Sequence, residues 1–234
     1  MAPGPNEPAI DAKWPKLLSL TVHEFRSPVT VVAGYLRMLL KERVGPISEQ
    51  QRHLLEEAEK SCARLSELLV EVSELSQLEA GTATFNRVSV DPRTIVTDVI
   101  ASLPSLRDRA VTVQLDAKGT ASVHGDATRL KTALAAVITA LRREVVSSDA
   151  LKVHVEDSVS NGSPAVRITV GEAERIPRLL NLAPNELGAF DEWRGGIGLS
   201  LVNARRIIEA HGGTLSAPLD DGHGVAVVSL PSIH

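Results

Sequence analysis

Two unbroken heptad seams constrain this chain more than any other feature. Leu18, Val22, Phe25, Val29, Val32, Leu36 and Leu39 are spaced 4, 3, 4, 3, 4, 3. After the turn Arg43-Val44-Gly45-Pro46-Ile47, the same spacing returns in Leu54, Ala58, Ser61, Leu65, Leu68, Val72 and Leu75. A seven-residue apolar repeat marks helices that pack along a shared seam. The spacing therefore predicts one helix over residues 11–42 and a second from Ser48 to about Ala80, each roughly 45 Å long at 1.5 Å per residue. Ser48 and Gln51 have the spacing of a reciprocal capping box, and Gly81 supplies a stop. Pro28 falls inside the first helix, where it removes a backbone donor and predicts a bend just before it.

Leu55, Cys62 and Leu69 widen the apolar side of this hairpin beyond a narrow seam. Burying an exposed Leu is worth on the order of 2 kcal/mol, so a second hairpin is a strong attractor. The expected assembly is a homodimeric four-helix bundle. The alternative is a hairpin that packs only on the chain's own second domain. Ahead of it, Pro3, Gly4, Pro5 and Pro8 make residues 1–10 read as a disordered tail, without the basic and apolar segments of a leader.

Composition removes several classes. Lys+Arg 25 against Asp+Glu 29 leaves a net charge of -4, and only 3% of residues are aromatic, so no nucleic-acid partner is expected. Cys62 is the single cysteine, which excludes an intrachain disulfide and a cysteine-based zinc site. His, Asp and Glu show no metal-ligand spacing, and His211 and His223 read as loop residues. No run of 18 apolar residues occurs, so membrane insertion is not expected and a cytoplasmic location is.

With Val22 and Phe25 on the seam, His23 lies one step off it and points outward. Glu24 is its neighbour, and Ser27 lies four residues on, along the same outer face. An exposed imidazole is a nucleophile near neutral pH, and an adjacent carboxylate can orient it or take its proton. On spacing alone, an ordinary surface histidine is the alternative.

From Phe85 the rhythm changes, with Gly81 as the natural boundary between residues 11–81 and 82–234. Strands are expected at 85–90, 111–115, 121–124, 151–155, 165–170, 214–217 and 224–230. Helices are expected from Pro92 to about Arg107, from Ala127 to about Val146 behind an Asp126 cap, and over 199–210. Residues 158–164 read as a turn-rich loop, and 171–194 as a short or mobile segment. The pattern is an α+β chain: a helical hairpin, then a sandwich with one mostly antiparallel sheet covered by helices on one face.

Three boxes carry a family resemblance over about residues 14–231. His23-Glu24-Phe25-Arg26-Ser27-Pro28, Gly125-Asp126-Ala127-Thr128-Arg129-Leu130 and Gly196-Ile197-Gly198-Leu199-Ser200-Leu201 resemble those of a sensor histidine kinase core. They look like a HisKA-type dimerisation and phosphotransfer domain followed by a degenerate HATPase-type domain of the Bergerat fold. The resemblance implies that His23 is the phosphoacceptor and Glu24 the acid beside it. Ser27 takes the place usually held by Thr or Asn, which helps to dephosphorylate the partner. Arg26 reads as a contact to phosphate or to a receiver's acidic residues, or as a surface ion pair. Gly196 and Gly198 at a helix start would let a phosphate approach backbone N–H groups, or would simply make a tight joint.

The same resemblance breaks at the nucleotide site. The two box asparagines fall on Ala136 and Ala140, and neither side chain can ligate Mg²⁺. Arg143 matches the family's basic residue. The adenine-binding Asp falls on Gly171 or Glu172, and Glu172 would reach a base only in a shifted pose. Gly-x-Gly is missing there, and the lid between Leu182 and Arg194 is short.

The expectation is a histidine phosphotransfer protein of a two-component phosphorelay. It would pass phosphoryl groups between His23 and receiver-domain aspartates of response regulators, with a hybrid histidine kinase among the candidate partners. The degenerate domain would help to dock the receiver. No cofactor is expected on this chain, Mg²⁺ being held by the receiver. One alternative is a sensor-less ATP-dependent kinase with a divergent pocket, which alone would need ATP and Mg²⁺. Another is a non-enzymatic scaffold that sequesters a response regulator.

Overall fold

The structure, a computed structural model, describes residues 14–104, 111–145, 149–160, 162–194, 196–220 and 222–233. The expected tail over residues 1–10 lies outside these; the helix expected to reach about Arg107 instead ends at Ser102, with Leu103 as its cap, and the one expected to reach about Val146 ends at Glu144. The chain divides into two compact units, residues 1–83 and 84–234.

The first unit is a helical hairpin, α1 (Trp14–Leu40) and α2 (Glu49–Glu79). The capping box forms: Gln51 N donates to Ser48 Oγ and Ser48 N to Gln51 Oε1. Gly81 ends the second helix at φ 65°, a left-handed conformation that only glycine adopts cheaply. α1 runs through Pro28 without ending. Only part of the two seams is covered within one hairpin. Val22 and Cys62 are buried, and Ser76 Oγ donates to Pro15 O at 2.7 Å near the open end. Phe25, Val32, Leu54 and Leu65 each remain at least half exposed.

The second unit contains β1 (Val88–Val90), α3 (Pro92–Ser102), β2 (Thr112–Ala117), β3 (Ser122–Gly125), α4 (Ala127–Glu144), β4 (Ala150–Ser160), β5 (Ser163–Glu172), α5 (Ile176–Leu180), β6 (Leu187–Ala189), α6 (Ser200–Ala210), β7 (Thr214–Pro218) and β8 (Ala226–Ile233). The sheet order is β1-β3-β8-β5-β4-β2, with β7 pairing β8 and β6 pairing β7. Among the described pairs, only β2 with β4 is parallel. Asp126 caps α4 as read from the sequence, and Asp91, which the sequence reading did not name, caps α3 ahead of Pro92. The expected α4 core residues Leu130, Leu134, Val137, Ile138 and Leu141 are all buried.

Two further expectations need correction. The turn-rich loop at 158–164 is mostly strand: Ser158 pairs with Ala165, Val159 with Pro164 and Ser160 with Ser163. The helices also do not all share one face. Val166, Ile168 and Val170 point to the α6 side, where Leu230, the register partner of Val166, stands with Ile208 around Gly213. Arg167, Thr169 and Gly171 alternate to the other side. Arg167 donates there to Leu179 O and Leu180 O, so the short α5 lies over the outer face.

Candidate functional site

His23 stands on α1 with its side chain 82% exposed, and Glu24 beside it is 71% exposed. His23 Nδ1 lies 3.3 Å from Glu24 Oε1. A carboxylate only accepts, so this contact assigns the proton of the neutral ring to Nδ1 and leaves the Nε2 lone pair for chemistry. Arg26 and Ser27 are exposed on the next turn. At about 100° per residue, His23 and Ser27 share a face, while Phe25 lies roughly 160° round the helix from His23. The uncovered apolar side of the hairpin is therefore not the side that presents the imidazole.

The residues around the second candidate site meet in a different way. Ala140 is fully buried and Ala136 nearly so, as packing residues of α4. Arg143 Nη1 donates to Gly196 O at 3.3 Å, so the end of α4 faces the glycine loop as the motif order requires. Gly196 and Gly198 both have left-handed φ, 60° and 63°. Gly171 faces an apolar cluster: a Cβ there would meet Val225 Cγ1 at 2.9 Å and Leu179 Cδ1 at 3.3 Å. An Asp could not be accommodated at that position without moving both. Glu172 is half-buried at the end of β5.

Sequence reasoning missed the strongest feature here. Glu144, the last residue of α4, forms a two-pronged ion pair with Arg194, just before the glycine loop. Arg194 Nε lies 2.8 and 3.0 Å from the two carboxylate oxygens, and Nη2 joins the same pair. Arg194 Nη1 donates to Gly222 O, Gly224 N donates to Glu144 Oε2, and the guanidinium sits over the buried Phe190 ring. The pair spans the same gap as Arg143 and Gly196. These partners lie 50 residues apart, and no local pattern announces them.

α4 places alanine side chains, with no oxygen, at 136 and 140, a Cβ at Gly171 would meet Val225 and Leu179, and the Glu144–Arg194 pair ties the end of α4 to the approach to the glycine loop. Among the described residues, no group of three or more His, Cys, Asp or Glu side chains could hold a metal ion.

His211 is more than the loop residue expected of it. It caps α6, and its ring is half-buried. Its Nδ1 donates to Ile207 O at 2.7 Å, and its Nε2 accepts from Asp126 N at 3.0 Å. Burial lowers its pKa below the ordinary value; the Ile207 carbonyl opposes this, the Arg87 charge adds to it, the Asp126 charge opposes it and the Arg129 charge adds to it. The ring thus rivets α6 to the start of α4. A Cβ on Gly125 would collide with Leu130 and His211, which explains glycine before Asp126.

Residues 16–81 match the His Kinase A (phospho-acceptor) domain. The chain is 26% identical over 226 residues to the circadian input-output histidine kinase CikA of Synechococcus elongatus, covering 92% of this chain and 29% of that protein. It is 28% identical over 211 residues to the sensor histidine kinase GacS of Pseudomonas protegens, covering 86% and 23%. It is 27% identical over 218 residues to the sensor-like histidine kinase SenX3 of Mycobacterium tuberculosis, covering 90% and 52%. The chain thus spans from 23% to 52% of the length of these relatives. Among solved structures it matches full-length ShkA in complex with AMPPNP, with a TM-score of 0.65 and 21% identity over 93% of this chain and 46% of that one. It also matches the Acinetobacter baumannii histidine kinase AdeS, with a TM-score of 0.54 and 21% identity over 91% and 98%. Both share the hairpin-plus-sheet architecture.

Proposed function

For a chain that carries a His Kinase A-type phospho-acceptor hairpin and is homologous to sensor histidine kinases, we propose a two-component signalling role in which His23 carries the phosphoryl group. The observation that carries this reading is the exposed imidazole whose Nδ1 is engaged by Glu24, leaving Nε2 as nucleophile. We propose further that the phosphoryl donor and acceptor are receiver-domain aspartates. In that step Nε2 attacks the phosphorus of an aspartyl phosphate, the N–P bond forms, and the P–O bond to the aspartate breaks. The carboxylate leaves with its electron pair, on a receiver that supplies its own Mg²⁺. No proton has to move: Nδ1 keeps its hydrogen, and Glu24 balances the charge of the phosphorylated ring. Ser27 positions water for a weaker hydrolysis, and Arg26 meets the partner's acidic pocket. The exposed Phe25, Val32, Leu54 and Leu65 support a homodimer, and we place its reaction in the cytoplasm. No helix among the described residues is long and apolar enough to cross a membrane.

A second reading has its own support. The curated relatives are named as histidine kinases, and the ShkA structure holds AMPPNP. Under it, this chain would phosphorylate His23 from ATP through a divergent pocket. The internal Glu144–Arg194 bridge and Ala140 support the receiver-driven reading instead.

One experiment separates them. The purified chain is incubated either with γ-labelled ATP and Mg²⁺ or with a labelled receiver domain, alongside His23→Ala. Label from the receiver alone, absent in His23→Ala, supports phosphotransfer. Label from ATP that depends on His23 replaces it with the kinase reading. No label from either source, with receiver binding retained by His23→Ala, leaves a scaffold.

A further inference from the structure

The outer face of the C-terminal sheet carries a groove of about 320 Å³ that phosphotransfer does not use. It lies on β4, β5, β7 and β8, beside the segment that follows α5. Among the described residues that line it, Arg167 is the only ionisable side chain. Ser160, Thr214, Ser216 and Ser229 bring hydroxyls to its walls, and Leu182, Pro184 and Leu187 give it one apolar side.

Strand register puts the polar groups in line. Arg167 of β5 pairs with Ser229 of β8, which pairs in turn with Thr214 of β7. Side chains paired in this way stand about 5 Å apart on one face. The guanidinium is preset: Nη2 donates to Leu179 O at 3.0 Å and Nη1 to Leu180 O at 3.4 Å. Its Nε is buried without a hydrogen-bond partner, and so is Thr169 Oγ1, the next outward position on β5. Glu156 lies in register with Arg167, but its carboxylate stands 3.5 Å from His154 Nε2 instead. Among the described residues, no carboxylate comes within ion-pair distance of Arg167. Burial lowers the guanidinium pKa from its ordinary value, against the opposing field of Glu156.

A half-desolvated guanidinium with unspent donors, answered only by the field of Glu156 and by no direct ion pair among the described residues, is costly unless something further meets its charge. Two backbone carbonyls already hold its fork in place, so little ordering is left for a ligand to do. Planar or tetrahedral oxyanions match that fork, and hydroxyls complete the set of donors. The volume is at the lower end of small-molecule sites.

We propose that this groove binds a small organic anion. Its carboxylate or phosphate group meets Arg167 with Ser229 and Thr214 donating to the same oxygens, and a short apolar portion rests on Leu182, Pro184 and Leu187. The proposal stands independently of the phosphotransfer reading, since it involves neither His23 nor α4.

The test is an NMR titration of the ¹⁵N-labelled full chain with phenyl phosphate, benzoate and the neutral benzyl alcohol. Saturable shifts confined to residues 158–160, 214–216 and 227–229 are expected for an anion, with the neutral probe at least about tenfold weaker. The stronger of phenyl phosphate and benzoate identifies the acid group. Arg167→Lys keeps the charge and removes the fork, and should weaken binding about tenfold. Ser229→Ala with Thr214→Val should weaken it several-fold with Tm unchanged, which keeps the test valid should Arg167→Lys not fold. No shifts up to low millimolar probe, equal binding of the neutral probe, shifts centred on Arg143 and Arg194, or unchanged affinity in the hydroxyl double variant would each overturn the proposal.

Discussion

Glu144 and Arg194, 50 residues apart in the chain, close the C-terminal domain on itself through a doubly hydrogen-bonded ion pair. Their side chains are 17% and 10% exposed. The pair joins three segments: the end of α4, the approach to the glycine loop, and the turn between β7 and β8 through Gly222 O and Gly224 N.

Removing one partner strands the other in a poorly hydrated place. Glu144→Ala is expected to cost about 3 kcal/mol, because one-sided deletion of a buried pair is far worse than replacing both members. The double variant Glu144→Met, Arg194→Met should recover part of that loss. Urea denaturation of the three chains measures it, and a loss below about 1 kcal/mol for Glu144→Ala would mean that the bridge is dispensable.

His211 should make the domain sensitive to mild acid. The folded ring is neutral, with Nδ1 donating to Ile207 O and Nε2 accepting from Asp126 N. Its folded pKa lies below the ordinary 6.5, so between the two values the unfolded chain binds more protons. Stability is then fully present above about pH 6.5 and falls with pH until the folded pKa is passed. His211→Gln should be less stable at neutral pH and show a flatter pH dependence below 6.5. Parallel slopes for the two chains in denaturant melts would exclude the histidine as the cause.

Asp126 serves two donors at once. Its Oδ1 accepts from Arg129 N and its Oδ2 from Asn86 N, and these bonds hold its pKa below the ordinary carboxylate value despite the opposing effect of burial. Asp126→Ala should cost about 1–2 kcal/mol, while Asp126→Asn, still a good cap, should cost less. Thermal melts of both variants test the order.

Glu24 should act on rate rather than on folding. Both members of its pair with His23 are exposed, so Glu24→Gln should leave Tm unchanged. Losing the oriented tautomer and the balancing charge should slow label transfer to His23 by about tenfold or more. Rapid-quench kinetics with a labelled receiver domain gives the comparison.

The uncovered seam should set the oligomeric state. Phe25 and Leu65 are 56% and 52% exposed in the hairpin, and each is worth roughly 1.5–3 kcal/mol when buried. Phe25→Glu with Leu65→Glu should yield monomers in sedimentation equilibrium. Sedimentation of the unaltered chain as a monomer at micromolar concentration would remove the bundle.

Local signals were legible wherever one residue's physics decides the outcome. The capping box at Ser48, the Asp126 cap and the glycine stop at Gly81 all follow from backbone groups that need a partner nearby. The heptads showed which residues are apolar, but not that one hairpin covers Val22 while leaving Phe25 open, because that depends on how many helices share the seam. Residues 158–164 depart from their local signal for a related reason. Ser, Asn and Gly suggest a turn, yet pairing of β4 with β5 extends both strands through most of them, and strand preference yields to such pairing. Arg167, Glu144 and Arg194 look like ordinary surface charges until distant segments meet.

Pro28 has a mechanical consequence. The amide hydrogen that would bond the Glu24 carbonyl does not exist, so α1 has a rung missing from its ladder beside His23. Flexing the rod at this point sacrifices less than flexing it elsewhere. A tug on either end of the hairpin will tend to concentrate its motion there, making residues 24–28 a fulcrum with His23 riding on its edge.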